Sequence, residues 1–201
     1  MKRYPKRQFI ETNLSELINV VLAFPLATIV DHHRNVVFIP LQPDELGTQL
    51  SGHVAAYNPL VNADGQEVVV VFSGEDDYIS PNLVSNQYLP TWHYKKVIVR
   101  GKLSIIQDPT LAWLELVKQV EHVEQTESSP WKADSLNLQE QRMLMKQIQV
   151  FKIDIDSIEG NFKLSQHKST EHQFAIRDAL QAKKEQQVGT QKTTRNAEII
   201  A

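Results

Sequence analysis

No cysteine occurs among the 201 residues. Disulfides, thiolate nucleophiles and Cys-ligated zinc or iron–sulfur centres are therefore excluded. Glycine is scarce, at seven residues, and none of them forms a GxG pair. A GxxxxGK[ST] run is missing too, so both common phosphate loops are absent, and any nucleotide must be held by another architecture. No GxSxG elbow occurs, and Ser51, Ser80 and Ser165 carry no local sign of activation. Neither charge sign dominates. The net charge of −3 excludes a strongly basic nucleic-acid coat, though not a local basic patch. Long apolar runs are missing as well, against the roughly 20 residues that a membrane helix needs. The basic start, Met1–Arg7, leads into Glu11, Asn13 and Glu16 instead of a signal-peptide core. A soluble, cytoplasmic protein with no membrane partner is the expectation.

What is present is an ordinary globular composition, 41% hydrophobic and 22% charged, enough for a real core. Asn13 precedes the stripe Leu14, Leu17, Ile18, Val21 and Leu22, so a helix is expected there. Glu16 is its expected reciprocal capping partner and Pro25 its end. Strands are expected at 27–31, 36–41, 49–55, 67–72, 95–107 and 150–156, the first two joined by a turn at His32–Asn35. Val68–Val71 is apolar on both faces and should be central, while Gly101 suggests a bulge or bend. Short links cannot carry many parallel crossovers, so an antiparallel barrel is the economical arrangement. Asp108-Pro109 opens a second helix, 121–134 reads as a loop, and 136–146 suggests a weaker helix. Thr170 and Gln173 suggest a capping box for a last helix reaching about Lys184. The chain is read as a single domain over 1–185 with a polar, mobile tail over 186–201.

Asp31-His32-His33 reads as a polar turn, because neighbouring strand side chains point to opposite faces and metal-ligand spacing is missing. Glu75-Asp76-Asp77 reads as a solvated acidic loop. Three segments interrupt apolar elements with specific polar chemistry. In Ser51–Pro59, Gly52 offers close backbone approach, His53 follows, and Asn58 stands as a phosphate contact or a helical cap. In Pro90–Tyr94, Thr91 and the flat face of Trp92 could line a planar ligand, or Trp92 could anchor a loop. In Ile158–Lys168, Lys163, Ser165, Gln166 and Lys168 crowd several donors together, as an anion site or a polar connector does.

Taken in order, these stretches resemble the PaiB-type FMN-binding negative transcriptional regulators. The matching pieces are Ala27–Val30 with His32-His33, Gly52–Ala55 with Asn58-Pro59, Tyr78–Pro81, Pro90–Tyr94, Ser129–Trp131 and Ile158–Gly160 with Phe162–Gln166. The resemblance implies an antiparallel split β-barrel of the flavin-reductase and pyridoxamine-phosphate-oxidase type, mostly β with peripheral helices. It also implies a homodimer, FMN as cofactor and repression of genes. Two departures bear on FMN. Phe38 replaces a histidine of the family pattern, and Ala56 replaces an arginine, a natural phosphate partner.

The expected FMN contacts are Gly52, His53, Asn58, Thr91, Trp92, Lys163, Ser165 and Gln166, with Lys163 and the Gly52–Asn58 backbone on the phosphate. No catalytic residue is assigned, since only His53 and His93 are placed for proton transfer and each also reads as structural. The alternatives are a flavin-dependent oxidoreductase or haem-handling enzyme on the same barrel, or a cofactor-free scaffold. In the last helix Glu171, Asp178 and Glu185 offset Arg177, Lys183 and Lys184. That argues against direct DNA contact and for regulation through a partner or sensed ligand.

Overall fold

The computed structural model describes residues 4–83 and 89–198. The chain divides into two compact units, neither of them contiguous. One comprises residues 10–74 and 96–161, the other residues 1–9, 75–95 and 162–201. Long strands pass from one unit to the other, so no linker composition marks the boundaries.

The first unit is the barrel. Helix α1 (Leu14–Ala23) buries Leu17, Val20 and Val21. Asn13 caps it by accepting from the Ser15 and Glu16 amides, as expected. The reciprocal partner is not Glu16: the Glu11 carboxylate takes the Asn13 N–H at 2.7 Å. The sheet holds eight strands among the described residues. They are β1 (Ile10–Glu11), β2 (Leu26–Val30), β3 (Val36–Pro40), β4 (Gln42–Pro43), β5 (Gln49–Ala55), β6 (Glu67–Ile79), β7 (Thr91–Ile105) and β8 (Ile148–Lys163). Six match the expected strands, and β1 and β4 are two-residue additions.

The order is β3-β2-β6-β7-β8-β5-β4, with β1 on β8, and every pairing with an assigned register is antiparallel. This is the antiparallel split β-barrel class with peripheral helices. Asp31 closes the β2–β3 turn by accepting from both the backbone and side-chain nitrogens of Asn35. Burial raises the Asp31 pKa, but these hydrogen bonds and the nearby His32 outweigh it, and the net pKa falls below the usual carboxylate value.

Val68, Val70 and Phe72 alternate into the core beside Ile29, Leu50, Phe151 and Ile153. Each such side chain contributes on the order of 1.5–3 kcal/mol by leaving water. Strand β7 runs through Gly101, where a bulge or bend is expected. Glycine is also needed there for packing: a Cβ would collide with the Asp154 carbonyl oxygen. Helix α2 (Pro109–Glu124) extends past the expected start of the following loop, and α3 (Leu138–Met145) is capped by Asn137 and Glu140.

The second unit contains the outer ends of β6, β7 and β8 and the long helix α4 (Thr170–Glu198). The acidic run Glu75–Asp77 lies within β6, so it is strand and not the expected loop. At the start of α4 the Ser169 hydroxyl accepts from the His172 amide, in place of the expected Thr170–Gln173 box. Helix continues to Glu198 through residues that suggest a tail, and 199–201 lie outside the described residues. No helix among the described residues is long and apolar enough to cross a membrane.

Candidate functional site

The outer end of β7 presents Thr91, His93 and Lys95 on one face, since strand side chains alternate. Two short bonds tie this face to the end of β8 and the turn beyond it. Lys163 Nζ donates to Thr91 Oγ1 at 2.6 Å. His93 Nε2 and Ser165 Oγ lie 2.7 Å apart, both side chains buried. Ser165 has φ 60°, in the left-handed region that non-glycine residues seldom adopt. The turn is over-determined by its own bonds. Gln166 donates to the Gln8 and Phe162 carbonyls while its Oε1 accepts from the Leu164 N–H.

Thr91, Lys163 and Ser165 border a cleft of about 440 Å³. Lys6, Lys163, Lys168, His167 and His172 line it together with Thr91, Ser165 and Ser80. Three ammonium groups on one concave surface make the site positive, with imidazole and hydroxyl groups among them. The histidines report that field. Burial comes first in lowering the His167 pKa, followed by repulsion from Lys168, Lys6, Lys163 and His172. Burial also dominates the lowering at His93, with Lys163 and His167 adding to it and Asp77 opposing it. Both rings are therefore held toward their neutral forms, and an anion in the cleft would reverse the repulsion. A donor set of this kind can bind a phosphate-sized anion.

Not every expected contact joins this cleft. Trp92 lies on the opposite face of β7 from Thr91, half exposed, and meets Tyr78 edge-on at 5.8 Å. Gln166 is spent on the three turn bonds above, so it is a positioning residue for Lys163 and Ser165.

Gly52, His53 and Asn58 belong to the barrel unit. A Cβ at Gly52 would lie 2.6 Å from Leu41 Cδ2 and 3.0 Å from Phe151 Cζ, so close packing by itself calls for glycine here. Asn58 accepts from the Leu60 amide and caps the short 3-10 turn Pro59–Ala63, the structural one of its two readings. His53 Nδ1 lies 3.0 Å from Gln119 Oε1. Among the described residues, no three or more His, Asp or Glu side chains cluster as a metal site.

Lys6, His167 and His172 were not legible as site residues in the sequence. His167 sits in the quoted donor run, but Lys6 comes from the far end of the chain. Its only local signal is the basic run at the start.

Comparison with known proteins bears on what this cleft serves. Residues 3–157 match the family described as "Putative FMN-binding domain". The chain belongs to this FMN-binding domain family. A relative within curated proteins is the Protease synthase and sporulation protein PAI 2 of Bacillus subtilis (strain 168), 29% identical over 89% of each chain. Among solved structures, the flavocytochrome Anf3 of Azotobacter vinelandii shares the fold with a TM-score of 0.63. Its identity is 15%, over 88% of this chain and 78% of that one. The FAD- and haem-binding protein of Mycobacterium smegmatis has a TM-score of 0.58 and 16% identity, over 83% and 79%. The FMN-binding domain family match includes Gly52–Asn58 and Thr91-Trp92 but ends before Lys163. The cationic turn after β8 therefore rests on its own geometry.

Proposed function

We propose that this FMN-binding split barrel is a regulatory module that grips the flavin phosphate in the cationic cleft of its second unit. The observation that carries the reading is the convergence of Lys6, Lys163 and Lys168 with Thr91 around one concavity. Lys163 supplies a cation for the phosphate within this unit. When bound, FMN would supply one- and two-electron redox chemistry. The chain's own residues bind and orient: Lys163 and Thr91 hold the phosphate, and the His93–Ser165 pair fixes the turn that presents Lys163. Negative regulation of genes is supported by the resemblance in motif order and by the sporulation relative. The charge balance of α4 favours action through a partner or a sensed ligand in the cytoplasm over direct DNA contact.

A homodimer belongs to the same reading. Leu26, Val36 and Phe38 are 62%, 54% and 69% exposed on a hairpin whose β3 is a sheet edge. Such an apolar edge suits a twofold partner. Sedimentation should give a dimer at micromolar concentration, and monomer alone would contradict it.

The function is tested by titrating the full chain with FMN and with riboflavin, which lacks the phosphate. FMN should bind more tightly, and Lys163→Ala should weaken FMN by roughly ten- to a hundredfold, as loss of one charged hydrogen bond implies. Riboflavin should be unaffected. Equal binding of the two flavins, or an unchanged Lys163→Ala, would refute the assignment.

A further inference from the structure

We infer that the barrel unit has a second ligand site, an apolar cavity for a small neutral molecule bearing one hydroxyl group, which goes beyond the flavin reading. The cavity has a volume of about 230 Å³. That is below the roughly 300–1,000 Å³ of sites for drug-sized ligands, so a flavin is too large and a single substituted ring fits. Leu22, Leu41, Val120 and Val123 form much of its wall, with the rings of Pro25 and Pro40. Its polar lining includes His53 and Gln119.

This pair is incomplete. His53 Nδ1 and Gln119 Oε1 satisfy each other at 3.0 Å, while Gln119 Nε2 is buried with no partner. No protein hydrogen bond reaches His53 Nε2 among the described residues. A buried, unpaired amide end is costly, and since Gln119 Nε2 has no accessible surface, His53 Nε2 is the group a ligand can reach. If His53 Nδ1 carries the proton, Nε2 is an acceptor; if the Gln119 amide is turned over, Nε2 carries the proton and donates. A hydroxyl serves either state, because it both donates and accepts. The Glu124 carboxylate, held by the Trp131 N–H at 2.7 Å, lies in the lining with His122 and disfavours an anionic ligand. An apolar ring with a hydroxyl is the chemistry that remains.

The test is calorimetric titration of the full chain with p-cresol, toluene and benzoate. We expect p-cresol to bind at least about tenfold more tightly than toluene, and benzoate not to bind at about 10 mM. His53→Phe should bring p-cresol down to toluene. Val123→Phe, at a position 58% exposed and thus tolerant of the change, should abolish p-cresol binding. Should His53→Phe not fold, the nitrogen NMR shift of Nε2 in the unaltered chain must move on adding p-cresol. Equal affinities for p-cresol and toluene, no p-cresol binding at about 10 mM, binding that survives Val123→Phe, or an unmoved Nε2 shift would each overturn the inference.

Discussion

Gly52→Ala separates packing from ligand contact at the residue where the two readings differ most sharply. The added Cβ would stand 2.6 Å from Leu41 Cδ2, 3.0 Å from Phe151 Cζ and 3.4 Å from the Pro40 carbonyl oxygen. Leu41 is 2% exposed and Phe151 fully buried, so neither can swing into solvent. Overpacking of this kind costs about 1–3 kcal/mol. For a chain of this size each kcal/mol lowers Tm by about 2–4 °C, so the expected drop is roughly 2–12 °C. Thermal unfolding followed by circular dichroism measures it, and FMN titration of the folded variant completes the test. The account predicts lower stability with FMN affinity unchanged. Unaltered stability with weakened FMN binding would refute the packing argument and restore Gly52 as a ligand contact.

At Gly101 the obstacle is the Asp154 backbone, which cannot rotate away, so Gly101→Ala should cost more than about 4 kcal/mol in a denaturant titration. The His93 pKa is lowered in the folded chain, so its contribution to stability is complete above the ordinary value of about 6.5 and falls as the pH drops through the folded value. Denaturation midpoints between about pH 7.5 and 5 should decline, and His93→Gln should flatten that slope. Adding FMN should raise the His167 pKa, because a bound phosphate opposes the lysine repulsion that now lowers it; proton NMR of the ring reads this directly. A His167 titration curve indifferent to FMN would place the phosphate elsewhere.

The fold was legible where physics is local. The central place of the Val68–Val71 strand, the Asn13 cap and the Asp108-Pro109 helix start each follow from neighbours within a few residues. Less was legible where a distant partner decides. The Asp154 carbonyl beside Gly101, and Leu41 and Phe151 beside Gly52, leave no mark in the local sequence. Strand β6 runs on through Glu75–Asp77 although three consecutive carboxylates suggest solvated loop. In the site, the density of donors at Lys163–Lys168 was visible, and so was Thr91. The division of labour was not: Gln166 reads as one more donor, yet its amide closes the turn onto Gln8 and Phe162. Period-two alternation already puts Thr91 and Trp92 on opposite faces of a strand, a signal sufficient to have separated them. Lys6 had no such signal, because its approach to Lys163 is a tertiary event.

The most direct test of the central claim is a crystal structure of the full chain grown with FMN. The account predicts phosphate oxygens within hydrogen-bond distance of Lys163 Nζ and Thr91 Oγ1, with Lys6 or Lys168 alongside. A flavin phosphate held by the Gly52–Asn58 segment instead, or a cleft left empty at saturating FMN, would contradict it.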